Sequence, residues 1–105
     1  MTSQDYHVVK ILKNKLSQIV SILDIRVFGS RARGDAHEYS DMDVFLEVPA
    51  LTKELKERIF EVTWEVGVEN SIVISVLIFT RDEIENSPLR AASIVENILT
   101  EGIKV

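Results

Sequence analysis

Apolar residues recur every three or four positions in three stretches of the chain, which predicts three amphipathic helices. These helices cover residues 3–23, about 51–66, and about 88–102. Ser3 and Asp5 have the residue types of a helix cap near the start of the first one. The polar positions between the apolar ones give each helix one face for a core and one for water.

Three short apolar runs lack helical spacing and predict β-strands at residues 25–28, about 42–48, and 71–79. The third run, SIVISVLIF, is rich in β-branched residues, and we expect a central strand covered on both faces. Thr80 and Glu83 have the spacing of a capping box and predict a short helical turn. The pattern therefore predicts one α/β (α+β) domain over residues 1–105, a small mixed sheet of about three core strands flanked by helices.

The second helix carries two apolar stripes about 100° apart, and one of them consists of Phe60 and Trp64. Either the helix is buried over a broad face, or these aromatic residues mark a contact surface. Burial in the core is the favoured interpretation for a domain of 105 residues.

The composition argues against a nucleic-acid-binding, zinc-binding or membrane protein. Lys and Arg number 12 against 17 Asp and Glu, for a net charge of −5, so direct nucleic-acid binding is not expected. The chain has no cysteine and two histidines, which disfavours a structural zinc site. Apolar runs are too short to span a membrane, so no membrane partner is expected and a cytoplasmic location is the default expectation.

Residues 29–34 have the composition of an anion site between the first strand and a short helix that starts at Ser30. Gly29 allows close approach of a ligand to the backbone, and the Ser30 hydroxyl adds a donor for a phosphate oxygen. Arg31 and Arg33 supply positive charge in a planar form that suits phosphate. An ordinary turn with solvated arginines would show the same residues, so this segment alone is weak support.

Asp41 and Asp43 are separated by one residue at the start of the second strand, which places both carboxylates on the same face. At roughly 6.5 Å apart they would repel by about 2–3 kcal/mol at an effective dielectric constant of 20. A divalent cation removes that cost, and carboxylate, water and phosphate oxygens are the ligands that Mg²⁺ prefers. The alternative is a solvated carboxylate pair at the mouth of a strand.

Taken together, Gly29-Ser30-Arg31-Ala32-Arg33-Gly34 and Ser40-Asp41-Met42-Asp43-Val44 resemble the G-S-x-A-x-G … S-D-x-D motif of the polymerase-beta-like nucleotidyltransferase superfamily. The length and element order resemble its minimal nucleotidyltransferase branch. The resemblance implies a nucleoside triphosphate, most simply ATP, held by Gly29, Ser30 and the neighbouring arginines and Ser40. It also implies catalytic Asp41 and Asp43 as ligands of Mg²⁺, and nucleotidyl transfer to a hydroxyl with pyrophosphate leaving.

The sequence departs from the family pattern at the third carboxylate, which normally projects from a later strand and activates the acceptor. Residues 71–79 contain no acid, and Ser75 stands about where one is expected. Glu69 precedes the strand, whereas Asp82 and Glu83 follow it. General-base help is worth about 10²–10⁴-fold in rate, so binding of nucleotide is expected to survive better than transfer.

Two hypotheses follow. The first is a Mg²⁺-dependent enzyme that transfers an adenylyl group to a partner protein or small molecule, as the antitoxin of a pair with a HEPN-type helical protein. The second is a catalytically silent module that binds nucleotide or a partner and regulates by contact. An antibiotic-modifying transferase acting alone is disfavoured because no substrate-binding domain is evident. Homo-oligomerisation is left open, and His37 and Tyr39 are interpreted as loop residues beside the site.

Overall fold

The computed structural model describes residues 1–37, 39–88 and 92–105, and within them five α-helices and four strands. In chain order these elements are α1 (Ser3–Ser17), β1 (Asp24–Phe28), α2 (Ser30–Arg33), β2 (Met42–Val48), α3 (Lys53–Glu69), β3 (Ile74–Thr80), α4 (Arg81–Asn86), α5 (Ser93–Glu101) and β4 (Ile103–Lys104). The mixed α/β class and the sheet flanked by helices are confirmed, and a short fourth strand is added to the predicted three. Residues 89–91 of the predicted third helix lie outside the described residues.

The four strands form one sheet in the order β3-β2-β1-β4. β1 is antiparallel to both β2 and β4, whereas β2 and β3 are parallel. The prediction that the run at 71–79 is a central strand is wrong, because β3 is an edge strand. Its apolar composition reflects side chains that pack on both faces of the sheet, and the central, most deeply buried strand is β2.

Successive side chains along each strand point to opposite faces of the sheet, so a hydrophobic core forms on each face. On one face, α1 and α3 cover residues such as Val27, Val44 and Leu46. On the other face, α4 and α5 cover a smaller cluster around the fully buried Phe45, whose ring centroid lies 5.7 Å from that of Phe79. Phe28, the last residue of β1, packs against this smaller cluster.

The N-cap of α1 lies one residue earlier than predicted. Thr2, and not Ser3, is the N-cap: its hydroxyl accepts from the Asp5 backbone, and the Asp5 carboxylate accepts from the Thr2 backbone. The helix ends at Ser17, earlier than predicted, although Ile19 and Val20 still pack against the core. Asp5 was therefore correctly placed in the cap, and it has a second partner.

That second partner is Arg31, whose Nη1 donates to Asp5 Oδ1 at 2.7 Å. Both side chains are buried, with 9% and 5% of their surfaces exposed. Nε and Nη2 of Arg31 donate to the backbone carbonyl of Ser40 at 3.1 and 2.5 Å. One guanidinium thus ties the start of α1 to α2 and to the residue that precedes Asp41.

The interpretation of Phe60 and Trp64 as core residues is wrong. Phe60 is 44% exposed and Trp64 69% exposed, whereas the other predicted stripe of α3 is directed to the core through Ile59, Val62 and Val66. The exposed aromatic residues form one side of an apolar groove of about 610 Å³ between α3 and β3. The alternative interpretation, a contact surface, fits this exposure.

None of the helices in the described ranges combines the length and the apolarity needed to cross a membrane.

Replacing Phe45 by Ala tests the smaller core. Because Phe45 is fully buried, the substitution leaves a cavity between Phe79 and α5, and we expect a loss of about 3–5 kcal/mol in the free energy of unfolding. Phe60→Ala is the matched control and should lose less than about 1 kcal/mol, since its ring is partly in water. Urea denaturation measures both, and similar losses for the two variants would contradict this packing.

Replacing Asp5 by Ala tests the buried ion pair. Arg31 is left buried and unpaired, and removal of one partner of such a pair costs about 3–5 kcal/mol in the free energy of unfolding. The double variant Asp5→Leu/Arg31→Met should be less destabilised than Asp5→Ala, since no charge then remains buried. Asp35→Ala, which breaks an exposed pair with Arg33, is the control and should change stability by less than about 1 kcal/mol. Equal effects of Asp5→Ala and Asp35→Ala in urea denaturation would refute this role.

Candidate active site

The site lies where the end of β1 pairs with the start of β2. The antiparallel register places Phe28 opposite Asp43, so the next residue, Gly29, lies beside the Asp43 carboxylate. A Cβ at Gly29 would lie 2.5 Å from Asp43 Oδ2, and φ at Gly29 is +74°. Both facts exclude any residue with a side chain at this position without a shift of the carboxylate or backbone strain.

Four of the predicted site residues line one cavity of about 540 Å³, namely Gly29, Ser30, Arg33 and Asp43. Its volume lies in the range of small-molecule sites. α2 is a single turn closed by Gly34 in the left-handed conformation. Its macrodipole is correspondingly small, so fixed positive charge in this cavity comes from Arg33.

Asp43 has an unusual electrostatic position. Partial burial raises the pKa of the Asp43 carboxyl, the neighbouring Asp41 carboxylate raises it further, and the Arg33 guanidinium acts in the opposite direction. Asp41 itself is exposed, immediately before β2. The two carboxylates are close enough for their charges to interact, as their spacing predicted, and burial together with the Asp41 charge disfavours the ionised form of Asp43.

Arg31 and Ser40 are placed differently from the four cavity residues. The Arg31 guanidinium is turned to Asp5 and to the Ser40 carbonyl, and Arg31 does not line the cavity. The Ser40 hydroxyl accepts a hydrogen bond from the backbone of His37. Both residues therefore organise the loop that leads to Asp41, and their predicted direct contact with a nucleotide stays a prediction.

Ser75, which the sequence resemblance puts about where a third carboxylate is expected, lies on the strand next to Asp43. In the parallel pairing of β2 with β3, Ser75 lies beside Asp43, and its side chain shares the same face of the sheet and is exposed. In the described ranges no three carboxylate or imidazole groups come together in a manner that could hold a metal ion. The two aspartates therefore have no third acidic partner on the described strands.

Sequence reasoning missed the opposite wall of the cavity, which is formed by α5. Ile94, Asn97 and Glu101 line it together with the buried Ile98. Their spacing of three and four places them along one face of the helix. Nothing in the sequence distinguished Asn97 and Glu101 from the polar residues that any amphipathic helix presents to water.

The loop residues His37 and Tyr39 lie apart from this cavity. The Tyr39 side chain is 83% exposed, and its backbone donates to His37 Nδ1 at 3.3 Å. His37 lines a different cavity beside Arg31 and Asp5.

Chemically, the cavity offers phosphate donors together with the Asp43 carboxylate, and the exposed Asp41 carboxylate lies outside its lining but close enough to interact with Asp43. Backbone and hydroxyl groups at Gly29 and Ser30 can donate to anionic oxygens, and Arg33 can offset their charge. Asp41 and Asp43 supply hard oxygen ligands of the kind that bind Mg²⁺. Such a site suits a ligand that carries phosphate and a divalent cation at the same time.

Comparison with known proteins agrees with this chemistry. The Nucleotidyltransferase domain family matches residues 9–105. A protein of Methanocaldococcus jannaschii that is named a protein adenylyltransferase is 35% identical over 86 residues, which cover 72% of this chain and 79% of that protein.

Solved structures show the same fold. A minimal nucleotidyltransferase superposes with a TM-score of 0.62 at 21% identity, covering 91% of this chain and 87% of the other. A toxin–antitoxin complex with AMP-PNP gives a TM-score of 0.62 at 20% identity, covering 95% of this chain and 70% of the matched chain. As the motif at residues 29–44 predicted, the chain belongs to the nucleotidyltransferase domain family and is a transferase.

Proposed function

We propose that this protein uses Mg²⁺ and ATP to transfer an adenylyl group to a hydroxyl of a partner protein. The observation that carries the proposal is the close approach of the Asp43 carboxylate to the Gly29 backbone. This approach puts Asp43, one of the two predicted metal ligands, beside the predicted phosphate-binding residues Gly29 and Ser30, which supports nucleotidyl transfer. The relative named a protein adenylyltransferase supports ATP as the nucleotide and a protein as the acceptor.

The residues fit a magnesium ion by the chemistry of the donor set. Asp41 and Asp43 would hold it, with triphosphate oxygens and water completing an octahedral shell. Burial and the neighbouring Asp41 carboxylate raise the pKa of the Asp43 carboxyl, and a bound cation would favour its ionised form. When bound, Mg²⁺ would neutralise charge on the triphosphate and orient its α-phosphate.

The motif residues have different parts in the proposed transfer. Backbone N–H groups near Gly29, with the Ser30 hydroxyl, would donate to phosphate oxygens, and Arg33 would offset their charge. Arg31 would act by position, because it fixes the carbonyl of Ser40 next to Asp41. The acceptor oxygen bonds to the α-phosphorus as the bond to pyrophosphate breaks, and the hydroxyl proton is released.

A protein acceptor is supported by the exposed groove between α3 and β3. Trp64 and Val73 are 69% and 64% exposed, and both line this groove, most of whose other lining residues are also apolar. Surfaces of this kind commonly bind other proteins. The partner that we propose is a helical protein of the HEPN type, as the sequence resemblance predicted, with which this chain would form a toxin–antitoxin pair. ATP as substrate also agrees with the predicted cytoplasmic location.

The second candidate function is a silent module that binds nucleotide and regulates a partner by contact. The observation that favours it is Ser75 beside Asp43, where the family pattern has a carboxylate. Without that group, deprotonation of an acceptor hydroxyl loses general-base help worth about 10²–10⁴-fold in rate. Binding of the triphosphate does not depend on it.

Asp43→Asn separates the two functions. With Mg²⁺, labelled ATP and a lysate or candidate partner protein, wild type should transfer label to a protein, and we expect Asp43→Asn to lower transfer at least 100-fold, because a metal ligand is lost. Asp35→Asn, which changes an exposed carboxylate of the nearby loop, is the charge-matched control and should retain transfer. Transfer that is absent from wild type, or unchanged in Asp43→Asn, would refute the enzymatic proposal.

Ser75→Asp tests the cost of the missing acid. Because Ser75 is exposed on the same face as Asp43, a carboxylate there should act with the pair and raise the rate of transfer by about 10²-fold. Ser75→Asn has the same shape without the charge and should match wild type. If Ser75→Asp is no faster than Ser75→Asn in the same label-transfer assay, Ser75 does not occupy the position of a catalytic acid.

A further inference from the structure

α5 forms a wall of the cavity that the family motif does not describe. Ile94, Asn97 and Glu101 face the same space as Gly29, Ser30 and Asp43, from the other side. The side chains of Asn97 and Glu101 make no hydrogen bond or ion pair with any residue in the described ranges. Their polar groups are therefore available to a ligand in this cavity.

The chemistry of this wall differs from that of the motif side. Glu101 brings a carboxylate, which repels phosphate oxygens and accepts hydrogen bonds from neutral hydroxyl or amino groups. Asn97 both donates and accepts. Phe28, Ile94 and Ile98 add apolar surface between these polar groups and the motif side. A ligand that fits has phosphate at one end and a flat, mostly apolar part with hydroxyl and amide-like groups at the other.

The wall is fixed to the strand that carries the motif. Arg26 of β1 donates from Nη1 to the carbonyl of Leu99 at 2.9 Å, and its side chain lies 3.3 Å from the position of a Cβ at Gly102. Directly after α5, β4 pairs with β1, with Lys104 opposite Arg26. Since β1 ends at Phe28, directly before the glycine of the motif, the two sides of the cavity are held by one strand, and the site is preorganised.

We propose that α5 is the nucleoside-recognition wall of this site. The Glu101 carboxylate accepts hydrogen bonds from the ribose hydroxyls, Asn97 contacts the edge of the base, and the base lies on Ile94 and Phe28. This inference rests on the proposed function, since it takes the triphosphate to lie at Gly29 and Ser30. It assigns selection for a ribonucleoside to residues of the last helix and leaves the phosphates to the motif.

Calorimetric binding of two ligands tests the proposal, both in the presence of Mg²⁺: ATP, and inorganic tripolyphosphate, which has no nucleoside. Glu101→Gln and Asn97→Ala should each lower the affinity for ATP about tenfold, because each variant loses one hydrogen bond to a charged or amide group. Both variants should bind tripolyphosphate within about twofold of wild type, because no phosphate contact has changed. Glu96→Gln, an exposed α5 carboxylate outside the cavity, is the matched control and should leave both affinities unchanged.

Deoxyribonucleotides give a second readout that a merely structural role of α5 would not change. Wild type should prefer ATP over 2′-deoxy-ATP or 3′-deoxy-ATP about tenfold, and Glu101→Gln should lose that preference. If Glu101→Gln binds ATP as tightly as wild type does, or if its affinities for ATP and tripolyphosphate fall equally, the wall does not recognise the nucleoside. If wild type binds neither ligand with Mg²⁺, the proposed function itself fails, and the two failures are thereby distinguished.

Discussion

The site depends on one close approach, that of the Asp43 carboxylate to the backbone of Gly29. The antiparallel register of β1 and β2 sets it, because Phe28 and Asp43 are paired and the chain turns directly after Phe28. A side chain at Gly29 would collide with the carboxylate, and the positive φ there adds a second constraint. Gly29 is thus required because Asp43 lies against it. This requirement couples the two halves of the motif, which are separated by thirteen residues between Gly29 and Asp43.

A second layer of structure holds that approach in place. The buried guanidinium of Arg31 pairs with Asp5 and donates twice to the carbonyl of Ser40, so the loop before Asp41 is fastened to α1. In sequence, Arg31 and Arg33 look equivalent, two residues apart on the same short helix. In the structure one is an internal brace and the other lines the cavity. Burial and partner, which sequence spacing does not reveal, separate their roles.

The sequence predicted those features that follow from local pattern. Helix and strand types, the paired aspartates and the Gly-Ser turn all follow from residues within one or two turns of each other. It failed where the answer depends on long-range arrangement. The run at 71–79 is apolar enough for a central strand, yet strand order makes β3 an edge, and Phe60 and Trp64 are left beside it at the surface. Asn97 and Glu101 were missed because only the packing of α5 against β1 brings them to the site.

The central claim is that Asp41 and Asp43 hold a divalent cation beside a triphosphate at Gly29 and Ser30. The most direct measurement is paramagnetic broadening of backbone amide NMR signals by Mn²⁺ in the presence of a non-hydrolysable ATP analogue. We expect the strongest broadening at Ser30, Asp43 and Ser75, and loss of that selectivity in Asp43→Asn. Broadening centred elsewhere, or the same pattern in Asp43→Asn, would contradict it.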